Sequence, residues 1–170
     1  MKKFVLFFVI AFSANFVFAQ KFAYVNTEYI LNNIPSYEAA QRQLDQMSVE
    51  WQKEIEDMLE EVDQMYKEYQ AESVVLTEEL RIKKEEAIIE KEKQAKELQK
   101  KYFGKEGELY QKRQELVKPI QDEVFNAVKE IATEGNYAVI FDAASGATII
   151  FSDPKYDKSD DVLEKLGFKN

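Results

Sequence analysis

Residues 36–72 read SYEAAQRQLDQMSVEWQKEIEDMLEEVDQMYKEYQAE, and the spacing of their apolar side chains decides the fold. Leu44, Met47, Trp51, Ile55, Met58, Val62, Met65 and Tyr69 follow one another in steps of 3, 4, 4, 3, 4, 3 and 4. Alternating steps of three and four mark the seam of a helix packed on another helix. The extra step of four, between Trp51 and Ile55, is a local stutter. Pro35 and Ser36 mark the start, with Ser36 expected as N-cap and Glu38 in the first turn. About 36 residues at ~1.5 Å each make an arm of roughly 50 Å.

Working outward, the partner helix lies downstream. Ile88, Ala95, Tyr102, Leu109 and Leu116 recur every seven residues, flanked by Ile89, Phe103, Tyr110 and Val117, with Lys96 interrupting the flanking series. A stripe two residues wide is what a helix buries against one neighbour. Residues 37–72 hold 3 basic and 11 acidic side chains, whereas residues 81–101 hold 8 basic and 5 acidic. An antiparallel pair sets the acidic helix against the basic one, a preference that supports the hairpin without driving it, because exposed ion pairs are individually weak. The tip falls near residues 73–77, with Thr77 as the cap of the returning helix and Glu78 and Glu79 in its first turn. Val74, Val75, Leu76 and Ile82 sit where a thin arm offers little core, which makes them candidates for contact with other chains. Gly104 and Gly107 fall inside the descending heptads at about 1 kcal/mol each relative to alanine, and are candidate hinge positions. Pro119 is expected to kink or restart the helix.

The arm, residues 37–118, interrupts a second composition, residues 20–36 and 119–170. Strands are expected at about 22–26, 137–142 and 148–152, the last two as a hairpin turning through Ala143–Ala147. Asn26 or Thr27 caps a short helix over 28–32, and Ile120, Val124, Ala127, Val128 and Ile131 mark a longer one. Gly135 is expected at the C′ position of that helix. Ser159 is expected to cap a last helix over 160–166. This body has about 60 to 70 residues, a size at which cores are thin. Its strands are apolar on both faces, at Phe22, Tyr24, Tyr137, Val139, Phe141, Ile149 and Phe151. Such faces imply burial on both sides, and these seven residues are expected to form a homo-oligomer interface. The fold class is therefore α+β and mostly helical: a long antiparallel coiled-coil hairpin protruding from a small β-containing oligomerisation body.

The chain has 170 residues and a formal charge of −9, with neither cysteine nor histidine. Disulfides, thiol nucleophiles, Cys/His zinc sites and imidazole chemistry are thereby excluded. Lys2 and Lys3, the apolar run from Phe4 to Phe12 and the Val17–Phe18–Ala19 ending form an export signal, with cleavage expected after Ala19. The exported chain then carries 21 basic and 32 acidic residues, and a general nucleic-acid role is not expected of so acidic a protein. No cofactor is expected, since no nucleotide-binding glycine loop is present.

The order of parts carries a family resemblance. Tyr24–Val25–Asn26 comes first, then the charged hairpin, then Ile120–Gln121 through Ala127–Val128–Lys129. Gly135–Asn136–Tyr137–Ala138–Val139–Ile140–Phe141–Asp142–Ala143 follows, then Ser152–Asp153 and Ser159–Asp160–Asp161–Val162–Leu163. The chain resembles the Skp/OmpH family of periplasmic chaperones over essentially all of its exported length. The resemblance implies a homotrimer whose hairpins enclose a cavity. It also implies an ATP-independent holdase that keeps unfolded outer-membrane β-barrel proteins from aggregating, with no enzymatic activity. Well-known members are basic and this chain is acidic. The lipopolysaccharide binding of the family therefore maps only onto Arg81, Lys83 and Lys84, beside Glu85 and Glu86, as does any contact with a membrane. Two other readings stand beside it. One is a structural coiled-coil spacer of the envelope. The other is an enzyme using Asp142, Asp153 and Asp157, although aspartates at strand ends usually form turns and caps.

Overall fold

The computed structural model describes residues 20–146 and 149–168, so the expected export signal lies outside the described residues. The chain is α+β and mostly helical, and it divides into two compact units. One spans residues 34–123; the other combines the chain up to Asn33 with Val124 onward.

The first unit is built on α2 (Pro35–Glu72), α3 (Glu78–Phe103) and α4 (Glu108–Leu116). In α2 the seam buries Leu44, Ile55 and Val62, while Met47, Trp51, Met58, Met65 and Tyr69 are half-buried. Ile88, Ala95 and Tyr102 are the buried residues of α3. The antiparallel register shows in the cross-helix bonds: Tyr69 to Glu85 near the tip, Glu72 to Lys84, Glu61 to Lys91, and Tyr102 Oη to Glu54 at 2.8 Å. At the stutter, Trp51 stacks on Tyr102 with ring centroids 4.7 Å apart and 6° between planes. It also meets Phe103 edge-on at 6.4 Å. The stutter thus admits the largest side chain of the seam. Ser36 is not the cap. Ile34 holds that place without a side-chain bond, because Pro35 with its fixed φ takes the first helical position. Thr77 does occupy the N-cap of α3, again without a side-chain bond.

The returning arm is not one helix. It stops at Phe103, passes through Gly104–Gly107 and restarts at Glu108. A Cβ on Gly104 would run into the carbonyl oxygen of Lys100, and one on Gly107 would lie 2.7 and 2.8 Å from the carbonyl oxygens of Tyr102 and Lys101. Close backbone approach, not a left-handed φ, is what requires glycine here. A second break falls at Val117, and α5 (Lys118–Glu134) begins with Pro119 in its first turn.

In the second unit, β1 (Lys21–Val25) pairs with β2 (Tyr137–Asp142) in parallel. Phe22 lies opposite Val139, Ala23 opposite Ile140 and Tyr24 opposite Phe141. Parallel strands need a crossover, and this one contains everything from α1 (Thr27–Asn32) to α5. Ala23 and Val25 point inward and join Ile30, Val124, Ala127, Ile131, Val162 and Leu163 among the buried residues. The last two belong to α6 (Ser159–Lys165), which packs on α1.

Three expectations differ here. Ile149–Ser152 form no strand, and Thr148 lies outside the described residues, so the expected hairpin is replaced by the β1–β2 pair. β1 offers its second edge to Asp157 and Lys158 instead, with Lys158 N–H donating to Tyr24 O at 2.9 Å. Among the described residues Ile149–Phe151 therefore have β propensity but pair with neither strand, although β2 keeps a free edge. The left-handed residue after α5 is Asn136, at φ 51°, rather than Gly135. Gly135 is instead needed because a Cβ there would strike the ring of Tyr137. Ser159 is the first helical residue and not the cap; it is buried, and its hydroxyl serves the network described next.

Candidate functional site

The strand-end aspartates are bound by their own surroundings. Asp142 accepts from Thr27 N–H at 3.2 Å, Thr27 Oγ1 at 2.8 Å and Ala144 N–H at 3.0 Å. Asp157 accepts from Ser159 N–H and Oγ at 2.8 and 2.6 Å, while Ser159 Oγ accepts from Asn26 N–H at 2.8 Å. Asp153 caps the 3-10 turn Pro154–Tyr156 and pairs with Lys155, whose ammonium holds its carboxyl below the usual range. These geometries are turns, caps and a clasp between the two ends of the unit. Among the described residues no group of three or more acidic side chains is arranged to hold a metal ion.

What the chain leaves exposed is apolar. In the strand unit, alternation sends Phe22, Tyr24, Val139 and Phe141 to the face opposite Ala23 and Val25. Phe22 and Phe141 rings lie 6.4 Å apart, and each residue is nearly half exposed. An open groove of about 990 Å³ runs along this face, lined by Phe22, Tyr24, Tyr137, Phe141, Ile149 and Phe151. Six of the seven residues expected at an oligomer interface therefore line one groove, and Val139 lies beside it opposite Phe22. Lys155 and Tyr156 also line it. Sequence reasoning missed both, since they lie in a turn with no strand period.

The hairpin tip is bare. Val74 is 90% and Val75 84% exposed, Ile82 is half exposed, and Leu76 is partly covered. The basic residues beside it are matched with carboxylates: Arg81 with Glu78, Lys83 with Glu79, Lys84 with Glu72. Tyr69 and Tyr102 have phenol pKa values raised above 10.0, foremost because each donates to a glutamate, Glu85 and Glu54 respectively. Leu59, Tyr66 and Ile89 are further exposed apolar residues of the arm. Leu59 and Tyr66 escaped the sequence reading, although they stand seven apart and just outside the seam. Among the described residues no helix is long and apolar enough to cross a membrane.

Comparison with known proteins gives two findings. The model of a family described as outer membrane protein (OmpH-like) matches residues 21–166. A crystal structure of a candidate outer membrane chaperone (OmpH-like) from Caulobacter crescentus superposes with a TM-score of 0.66 at 11% identity. It covers 87% of this chain and 84% of that one, a likeness of fold. No curated protein sequence matches significantly.

Proposed function

We propose, from the premise that this chain belongs to the OmpH-like outer membrane protein family, that it is an ATP-independent periplasmic holdase. It binds unfolded outer-membrane β-barrel proteins in a cavity between the arms of a homotrimer and keeps them from aggregating. The observation that carries this reading is the set of large apolar side chains left in solvent on a slender helical arm, with Val74 and Val75 the barest. An unfolded barrel chain offers apolar strands and unpaired backbone groups that aggregate readily, and many weak contacts shield such a chain without fixing it. The exposed aromatic face of β1 and β2 is the trimer interface of this reading, since a two-stranded sheet is marginal alone. Gly104 and Gly107 give the arm its compliant point. The first nineteen residues direct export and are removed.

Light scattering of an unfolded barrel protein diluted from urea tests the proposal. Suppression near one trimer per client without nucleotide is the expected result. Aggregation unchanged at several-fold excess of protein would favour a structural spacer instead.

A further inference from the structure

The two flanks of the hairpin are unlike each other. With Ile55 and Val62 as a positions of α2, and Ile88, Ala95 and Tyr102 as a positions of α3, every other residue has a heptad letter. In an antiparallel pair the e positions of both helices share one flank and the g positions share the other. The flank bounded by the d and g positions is closed by cross-helix ion pairs, Glu61 (g) with Lys91 (d) and Glu72 with Lys84 (both d). The e flank carries Leu59 and Tyr66 of α2, with Ile82 and Ile89 at the adjoining b positions of α3. Their exposures are 48, 49, 47 and 64%. Tyr69 donating to Glu85 at an e position fits this assignment.

Carboxylates edge this apolar flank. Glu56 accepts only from Gln52 and Glu85 only from Tyr69, both neutral donors, while Glu60 and Glu86 have no ion pair or hydrogen bond within the described residues. Of the neighbouring cations, Lys67 is engaged by Asp63, Lys93 by Glu90 and Glu97, and Lys96 by Glu92; Lys53, at the far end of the flank, has no ion pair among the described residues. Four acidic groups thus face outward beside four exposed apolar residues. The residues between 34 and 123 hold 23 acidic and 15 basic side chains, so a second copy of the arm or an anionic lipid surface would meet like charge.

We infer that the e flank, Leu59, Tyr66, Ile82 and Ile89 within a rim of Glu56, Glu60, Glu85 and Glu86, docks unfolded polypeptide segments that combine apolar residues with lysine or arginine. The inference rests on the holdase reading and names the client chemistry that the holdase prefers. Apolar contact supplies affinity, and the rim selects by charge.

The test uses a fluorescent peptide alternating leucine and serine with interspersed lysines, and the same peptide with glutamates replacing the lysines. Anisotropy is expected to show the lysine peptide binding at least roughly tenfold more tightly. That margin is expected to shrink in ~0.5 M sodium chloride, where the Debye length is only a few ångströms. The variant Tyr66→Ser/Ile82→Ser/Ile89→Ser is expected to weaken binding of the lysine peptide roughly tenfold, and Ala87→Ser to leave it unchanged. Ala87 is a g residue about 200° around α3 from Ile89. The chain has no cysteine, so a photoreactive probe at Ile89→Cys or at Ala87→Cys gives a direct second reading; cross-links are expected from the first only. Equal binding of both peptides, or equal cross-linking from both flanks, overturns the inference. If wild type and the triple variant suppress barrel aggregation equally, the flank is wrong and the holdase stands. If wild type suppresses nothing, both fall.

Discussion

At the scale of single residues, hydrogen-bond geometry decides most of what the aspartates and tyrosines do. Asp142 satisfies two backbone N–H groups and one hydroxyl, part of them buried. Removing a shared acceptor strands its donors at about 1–3 kcal/mol each. Asp142→Ala is expected to lower the stability of the strand unit by about 2–3 kcal/mol in urea unfolding followed by circular dichroism. A loss below about 0.5 kcal/mol would show the clasp to be incidental. Tyr102 gives a pH prediction. Its folded pKa is raised, foremost by donation to the Glu54 carboxylate, so the protonated phenol is favoured by folding. The stabilisation is fully present below the unfolded value of about 10 and is lost as pH rises through the higher folded value. Stability of the arm is therefore expected to be insensitive to this group at neutral pH and to fall in alkali. Tyrosinate absorbance should show late-titrating phenols among the nine tyrosines, with one fewer in Tyr102→Phe. The sequence announced Asp142 as a turn former by its place after YAVIFD, but not its bonds to Thr27, which depend on two distant segments meeting. Caps shifted by two residues at Ser36 and by one at Ser159 for a similar reason. Ser36 and Ser159 have the right chemistry, and Pro35 and the Asp157 clasp took precedence.

At the scale of elements, the arm was legible because its period is local. A seam at 3.5-residue spacing needs no knowledge of the rest of the chain. Trp51 at the stutter, stacked on Tyr102, shows how a departure from that period is used. Trp51→Ala is expected to cost about 2 kcal/mol, below the range for a fully buried tryptophan because the residue is only partly buried. Chemical denaturation gives the value, and a change within error would mean the stack does not hold the helices in register. The break at Gly104–Gly107 reads differently in structure than in sequence. Helix propensity treats the glycines as defects, whereas the close approaches to Lys100, Lys101 and Tyr102 make them requirements. Gly107→Ala is accordingly expected to destabilise the arm by about 1–3 kcal/mol with no gain in helix content. Gain of both stability and helicity would return the break to a mere propensity defect. The segment Ile149–Phe151 was the element least readable from sequence. Its residues favour strands, yet they leave the free edge of β2 unpaired, because local propensity does not decide pairing.

At the scale of the whole molecule, the proposed homo-oligomer rests on the exposed aromatic face of β1 and β2. Phe22→Ser with Phe141→Ser is expected to reduce the sedimentation mass to that of a single chain at micromolar concentration, while helical circular dichroism is retained. An unchanged mass would place the oligomer contact elsewhere. The apolar alternation of β1 and β2 displayed this face in the sequence, whereas the parallel pairing did not follow from it. That pairing joins residues 21–25 to residues 137–142, across more than a hundred intervening positions. Closing so long a loop in an unstructured chain is slow and costs entropy that grows with the logarithm of its length. Yet most of the loop is a hairpin of local contacts in which α2 packs on both α3 and α4. Once that hairpin zips, the remaining search between the two strands spans only α1, α5 and short connections. The arm is thus expected to act as a folding catalyst for its own body. Thinning the seam with Ile55→Ala should slow the appearance of the β1–β2 pair in refolding kinetics, although Ile55 touches neither strand in sequence.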